Sequence, residues 1–343
     1  NAVTFNKDGK YLASASSDKT IKIWDFKQGK EIRTLTGHTD WVNNVIFSPD
    51  SLYLISASAD KTVKIWEVET GKEIYSITGF SQENYAISYS PNGRYLATTS
   101  FDKSIRIWKI TKALVDKAVI EKEKEEEEKK QNELNMIKND IPKDEVTPLF
   151  DLIKVTENKK EEVIEDSKEE ILEIANIHHP GYISAITYSS DSKNFISGGF
   201  DKSIKIWNIS TGKELKTING HDGSIMSLCF IPNTKYIASG SSDKTVKIWN
   251  IDSFKEMKTL SGHKASIKSI CATTDGKFLA SASMDNTIKI WNVISGKEHK
   301  SISAHDELIS CIRFSHDGKN LASASFDKTI KIGAAVDVNE EIG

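Results

Sequence analysis

The sequence predicts an all-β fold, a seven-bladed β-propeller of four-stranded antiparallel blades, on three observations. A nine-residue string, Ser-x-Asp-Lys-Thr-Ile-Lys-Ile-Trp, recurs with small variations along the 343 residues. Its Asp falls at Asp18, Asp60, Asp102, Asp201, Asp243, Asp285 and Asp327, so the steps are 42, 42, 99, 42, 42 and 42 residues. Each unit divides into four short β-branched and aromatic runs bounded by Gly, Pro, Asn and Asp, the residues of tight turns. Such units cannot bury their faces singly but can when stacked radially.

The second unit shows the pattern in order. Val42 to Phe47 is a strand, Ser48-Pro49-Asp50-Ser51 a turn, Leu52 to Ala57 a second strand, and Ala59-Asp60-Lys61 a tight reversal. Thr62 to Trp66 alternates with period two as a third strand, Thr70-Gly71-Lys72 turns again, and Glu73 to Ile77 is the fourth. The long step of 99 is one unit plus 57 residues. The expected organisation is therefore blades one to three in 1–110, an insertion in 111–167, blades four to seven in 168–333, and a tail, 334–343, that is a candidate for the outer strand of the last blade although its pattern matches poorly. The chain opens inside the first strand of unit one, without Met, which predicts a native chain that continues upstream.

Composition narrows the class. The residues are 38% hydrophobic and 28% charged with a net charge of −3, ordinary for a soluble globular protein and without an overall pull toward nucleic acid. No apolar run reaches the length of a membrane span, and the first residues are not a signal peptide. The three cysteines, Cys229, Cys271 and Cys311, form no Cys-x-x-Cys pair and read as buried reduced thiols, pointing to a cytoplasmic location with cytoskeletal, ciliary or nuclear settings open. No Gly-rich phosphate loop, metal-ligand cluster or unrepeated acid–base constellation occurs, so no cofactor is expected and catalysis is not.

A Gly-His pair followed about 26 residues later by a Trp-Asp-type pair resembles the WD repeat. It stands here as Gly37-His38 with Trp66-Glu67, Gly220-His221 with Trp249-Asn250, and Gly262-His263 with Trp291-Asn292; His179 with Trp207-Asn208 fits with His178 in place of the Gly. The resemblance covers about 280 residues, all but the insertion and the tail. It implies a hydrogen-bonded set in each blade that joins the incoming loop to the turn between strands two and three. On this chain the sets are His38, Ser56, Asp60 and Trp66; His179, Ser197, Asp201 and Trp207; His221, Ser239, Asp243 and Trp249; and His263, Ser281, Asp285 and Trp291. A buried carboxylate needs donors, and these side chains supply them. The Ser or Thr four residues before the Asp, present in all seven units, is preferred over the one two before. A Ser, His and Asp in one repeat resemble a catalytic triad, but a device repeated in every blade is structural. Three units depart. Phe80 holds the His position of unit three, Ala304-His305 and Gly333 replace Gly-His and Trp in unit seven, and unit one begins after its His position. Blade seven or its seam with blade one is expected to be the least stable part.

The resemblance also implies that the rim carrying the Asp turns binds peptides. The residue before each Asp reads Ser17, Ala59, Phe101, Phe200, Ser242, Met284 and Phe326, and the residue five after each His position reads Asn43, Tyr85, Ser184, Met226, Lys268 and Ser310. Trp41 and Tyr182 lie close by. The candidate partner-binding residues are Trp41, Asn43, Tyr85, Phe101, Tyr182, Phe200, Met226, Met284 and Phe326, with Phe101, Phe200 and Phe326 foremost; the alternative is that each tucks against its neighbouring loop. Lys19, Lys61, Lys103, Lys202, Lys244 and Lys328 follow the turn Asp, with Asn286 breaking the series. The third strands add Lys22, Lys64, Arg106, Lys205, Lys247, Lys289 and Lys331. They read as a solvated face guarding strand edges or as a basic surface for an acidic partner.

The insertion leaves blade three between its third and fourth strands, on the face opposite that rim. Its run from Glu121 to Lys130 is low-complexity, and Pro142 and Pro148 interrupt any helix. It holds 17 acidic and 11 basic residues, net −6, leaving +3 on the rest. It reads as a tolerated loop or a second interaction element. The function expected is a non-catalytic protein–protein interaction scaffold within a multiprotein assembly. The alternative is a substrate-recognition subunit of an enzyme complex such as a ubiquitin ligase, and a minor one is a cytoskeletal, ciliary or RNA–protein assembly component. Expected partners are proteins or peptides on the Asp-turn rim, with no small-molecule substrate, no membrane insertion, and nucleic acid only as a minor alternative.

Overall fold

Seven antiparallel sheets follow one another along the chain in a computed structural model that describes residues 1–110 and 171–335. Blade 1 holds β1 (Ala2–Phe5), β2 (Tyr11–Ala15), β3 (Ile21–Asp25) and β4 (Lys30–Leu35). Blade 2 holds β5 (Val42–Phe47), β6 (Tyr53–Ser58), β7 (Val63–Glu67) and β8 (Glu73–Ile77). Blade 3 holds β9 (Asn84–Tyr89), β10 (Tyr95–Ser100), β11 (Ser104–Ile110) and β12 (Ile171–His178). Blade 4 holds β13 (Ile183–Tyr188), β14 (Asn194–Gly199), β15 (Ile204–Asn208) and β16 (Glu214–Ile218). Blade 5 holds β17 (Ile225–Ile231), β18 (Tyr236–Ser241), β19 (Val246–Asn250) and β20 (Glu256–Leu260). Blade 6 holds β21 (Ile267–Ala272), β22 (Phe278–Ser283), β23 (Thr287–Asn292) and β24 (Glu298–Ser303), and blade 7 holds β25 (Ile309–Phe314), β26 (Asn320–Ser325) and β27 (Ile330–Ala334).

Each sheet runs in chain order from inner to outer strand, and the inner strands β1, β5, β9, β13, β17, β21 and β25 neighbour one another in a closed cycle, β25 meeting β1. The thiol of Cys311 donates to the Val3 carbonyl across that seam at 3.6 Å. The second strands are buried on both faces because they lie between two neighbouring blades; all six residues of β6 are buried. Third strands alternate, their Ile and Val inward and their Lys outward, as period two requires. The third-strand Lys residues do not form an open basic face. Lys22, Lys64, Lys205, Lys247 and Lys289 each pair with a Glu on the fourth strand nine residues on, at 2.7–3.0 Å. Those cations are neutralised in place.

Chain departure between the third and fourth strands of blade 3 is as expected from the sequence, since β11 ends at Ile110 and β12 begins at Ile171. The insertion, 111–167, and the tail beyond Ala335 lie outside the described residues, so the tail's expected role as an outer strand falls there too. Among the described residues blade 7 has three strands, not four. With no described strand on its outer side, β27 is open: Lys331, Ile332, Gly333 and Ala334 are exposed, where the matching residues of β23 bury Ile290 and Trp291. Amide exchange of β27 is therefore expected at least about tenfold faster than that of β23 in a native-state exchange experiment.

Candidate functional site

In blades 2, 5 and 6 one polar chain runs unbroken from the core to the turn. The Trp66 indole donates to Ser56 Oγ at 2.9 Å, Ser56 Oγ lies 2.7 Å from His38 Nε2, and His38 Nδ1 lies 2.7 Å from Asp60 Oδ2. The same chain joins Trp249, Ser239, His221 and Asp243, and Trp291, Ser281, His263 and Asp285, each link within 3.0 Å. One proton arrangement satisfies every group. The indole donates to the hydroxyl, the hydroxyl donates to Nε2 of a neutral imidazole, and Nδ1–H donates to the carboxylate. The hydroxyl four residues before the Asp is the one engaged, as preferred from the sequence.

The hydroxyl two before the Asp has its own task. Ser58 Oγ accepts the Asp60 N–H at 3.1 Å and donates to the Asp40 carbonyl, tying turn to loop. Sequence reasoning missed a third hydroxyl, two after the Asp: Thr62 donates to Asp60 Oδ1 at 2.6 Å, and Thr245, Thr287 and Thr329 do the same. A Thr or Ser stands there in all seven units, so the signal was in the repeat. Also missed was blade 7, where His305 bonds Asp327 and Ser323 at 2.7 and 2.8 Å although no Trp completes the chain.

Blades 3 and 4 depart. In blade 3 Phe80 fills the His position, buried edge-on to Trp108 with the Arg106 guanidinium 4.5 Å over its ring, and Ser81 donates to Asp102 in the imidazole's stead. In blade 4 the expected set of His179, Ser197, Asp201 and Trp207 is not fully joined. Trp207 donates to Ser197 at 2.8 Å, but His179 Nδ1 stands 3.8 Å from Asp201 and its buried Nε2 has no partner among the described residues. The cause is local. Gly199 replaces the turn-capping Ser, and a Cβ there would lie 2.0 Å from the Tyr182 carbonyl, so the loop occupies the space the cap would need. Blade 1 keeps the Trp24–Ser14 bond, while Asp18 bonds Thr20.

Burial sets the ionisation of these groups. Burial pushes the imidazoles of His221 and His263 below their usual 6.5, against the opposing pull of Asp243 and Asp285. Burial pushes the Asp285 carboxyl up, but hydrogen bonds from Thr287, Lys264 N–H and His263 outweigh it and hold the carboxyl down at about 2.

On the rim of blades 2 to 7, the residue before the Asp is anchored by its N–H to the carbonyl three residues after the His position, as Ala59 to Trp41, Phe101 to Glu83 and Phe200 to Tyr182. Tyr85, Phe101, Tyr182 and Phe200 thereby form one aromatic row across blades 3 and 4, with successive centroids 5.5, 5.7 and 6.1 Å apart. Tyr85 and Phe101 are half-buried within the row, while Tyr182 and Phe200 are 45% and 50% exposed. Lys103 reaches over the Tyr182 ring at 5.5 Å. Trp41, Met284 and Phe326 are exposed but apart from the row, Phe326 across the ring on blade 7. Asn43 bonds the Asn84 carbonyl at 2.8 Å and, like the half-buried Met226, lines the central cavity with Tyr85. The six turn lysines all have left-handed backbones, φ 65 to 74°, a conformation that costs a non-glycine residue about 1–2 kcal/mol. None of the six is ion-paired among the described residues. Among those residues, no group of three His, Cys, Asp or Glu is placed to hold a metal, and no helix is long and apolar enough to cross a membrane.

Seven radial sheets, three of them (blades 2, 5 and 6) bound internally by the same complete side-chain chain, define a repeat propeller. Seven stretches, 1–25, 29–67, 71–109, 172–208, 212–250, 254–292 and 296–332, match the WD domain, G-beta repeat, and the chain belongs to the WD-repeat family. Among curated relatives, 38 residues are 50% identical to the nuclear distribution protein PAC1-2 of Postia placenta, 11% of this chain and 9% of that protein. A 41-residue stretch is 54% identical to the probable serine/threonine-protein kinase PkwA of Thermomonospora curvata, 12% and 6% of the two chains. A 37-residue stretch is 57% identical to the nuclear distribution protein PAC1 of Coccidioides posadasii, 11% and 8%. Each similarity is about one repeat long and spans under a tenth of the relative.

Two outcomes follow from this geometry. Ser239→Ala strands both the His221 and Trp249 nitrogens and should cost about 2–3 kcal/mol in urea unfolding, whereas Ser197→Ala strands only Trp207 and should cost about 1 kcal/mol less. Imidazoles held below 6.5 by folding stabilise the folded state fully above that pH and lose the contribution as pH falls. The urea midpoint should therefore be flat from pH 8 to 7 and decline steadily below about 6.5, the carboxylates adding a further loss only below about pH 4.

Proposed function

We propose that this chain is a non-catalytic protein-interaction scaffold whose rim over blades 3 and 4 receives a peptide of a partner protein within a larger assembly. The observation that carries this reading is the aromatic row from Tyr85 to Phe200. A contiguous apolar strip on a water-facing rim stabilises nothing in the isolated chain beyond its own ring contacts, and such strips mark contact surfaces.

Two further features support the same place. Six buried side-chain polar atoms lack a partner among the described residues, and five of them, on Asn84, Arg106, His179 and Tyr188, belong to blades 3 and 4. Departures from an otherwise consistent pattern gather at functional positions. Lys103 and Lys202 flank the row without a carboxylate, which favours a peptide combining an apolar or aromatic side chain with an acidic one. Repetition of the His–Asp–Ser set favours binding over catalysis, since chemistry needs a site once. The single-repeat likeness to nuclear distribution proteins supports membership of the repeat family and leaves the assembly open. Three free cysteines are in keeping with a cytoplasmic location.

The test compares a Tyr182→Ala/Phe200→Ala variant with Phe326→Ala in affinity capture read by mass spectrometry. Partners should be lost with the former and kept with the latter, with unfolding free energies within about 0.5 kcal/mol of wild type. Retention of the same partners by the double variant would sink the rim reading.

A further inference from the structure

Two cavities lie along the axis enclosed by the inner strands. One, of about 110 Å³, is lined by the rim-side residues, among them Tyr85, Met226 and Lys268. The other, of about 380 Å³, opens between the hairpin turns at the opposite ends of the sheets and is walled by Phe5, Phe47, Pro49, Pro91 and Phe314. Arg313 lines both. By strand register its counterparts in the other blades are Thr4, Ile46, Ser88, Thr187, Cys229 and Cys271, so this ring of seven inner-strand residues carries a single charge.

That charge has no counter-charge. Arg313 Nη1 donates to the Ile312 carbonyl at 2.8 Å and to Ser269 Oγ at 3.3 Å, both neutral acceptors. No Asp or Glu lines either cavity, and Arg313 is in no ion pair among the described residues. The thiols beside it do not serve: the Cys311 thiol donates to the Val3 carbonyl, and burial pushes Cys271 up to about 12 and raises Cys229 too, so these two stay protonated at neutral pH. Lys268 on the rim side and Lys7 on the other add cations to cavities lined by no carboxylate among the described residues. Arg313 is half-buried with only neutral protein acceptors, and guanidinium is the side chain best shaped for carboxylate or phosphate. The smaller cavity holds only a few waters, whereas the larger is of ligand size.

We propose that the axial channel binds a small organic anion, entering at the mouth opposite the rim, with its carboxylate or phosphate on Arg313 and its apolar body against Phe47 and Phe314. This site is independent of the peptide rim. Phenyl phosphate and benzoate are the probes, titrated at constant ionic strength against a chloride control, with binding read by calorimetry and by the melting temperature. At least one probe should bind and raise the melting temperature of wild type, and the stronger of the two names the anionic group. Arg313→Gln should weaken that binding about tenfold or more. Should that variant not fold, wild-type protein still decides: the phenyl protons of the bound probe should show nuclear Overhauser contacts to the Phe47 and Phe314 rings. Equal binding by wild type and Arg313→Gln, no binding of either probe at 10 mM (about the weakest affinity of interest), or contacts elsewhere would each overturn the proposal.

Discussion

Each complete blade depends on a polar chain whose polarity runs one way, from indole to hydroxyl to imidazole to carboxylate. The carboxylate is the anchor. Asp60 takes a bond from His38, two from Thr62 and one from the Thr39 N–H, so a single buried anion holds the incoming loop and the strand-two turn together. An anion so placed is expensive unless every lone pair is met, and here all are. The Trp at the far end closes the chain inside the core, where Trp66 is 2% exposed. The loop and turn that form the rim are therefore fixed from below, and rim side chains are held by a framework that does not include them.

The same logic explains what happens where the chain breaks. Blade 3 replaces imidazole with a phenyl ring and keeps its turn through Ser81. Blade 4 keeps the imidazole but loses the cap at Gly199, and the loop settles about an ångström too far for the His179–Asp201 bond. These are the two blades that carry the continuous aromatic row. The aromatic row and the loss of internal regularity coincide in these two blades, and that coincidence is what favours the proposed binding surface there.

Much of this was legible in the sequence because the repeat states its own register. The Asp spacing located seven blades and the place of the insertion, the WD-repeat resemblance supplied the partners of the network, and recurrence in all seven units favoured Ser56, the hydroxyl the imidazole engages, over Ser58. The blade 4 network was not legible, since Gly199 differs from the usual Ser by one hydroxymethyl group and its effect depends on where the Tyr182 carbonyl lies. Nor was the neutralisation of the third-strand lysines, although Glu31, Glu73, Glu214, Glu256 and Glu298 stand nine residues after them; pairing across strands three and four depends on a register shift at the Trp that only geometry shows. The candidate rim residues were named together, but Phe326 belongs to the far side of the ring. Arg313 escaped notice because inner-strand register, not local pattern, isolates it.

The central claim is the direction of the proton chain, and imidazole nitrogen resonances read it directly. In uniformly ¹⁵N-labelled protein at pH 7, His221 and His263 should each appear as neutral rings protonated at Nδ1, with His179 distinct from them. Rings protonated at Nε2, or imidazolium at that pH, would contradict the account.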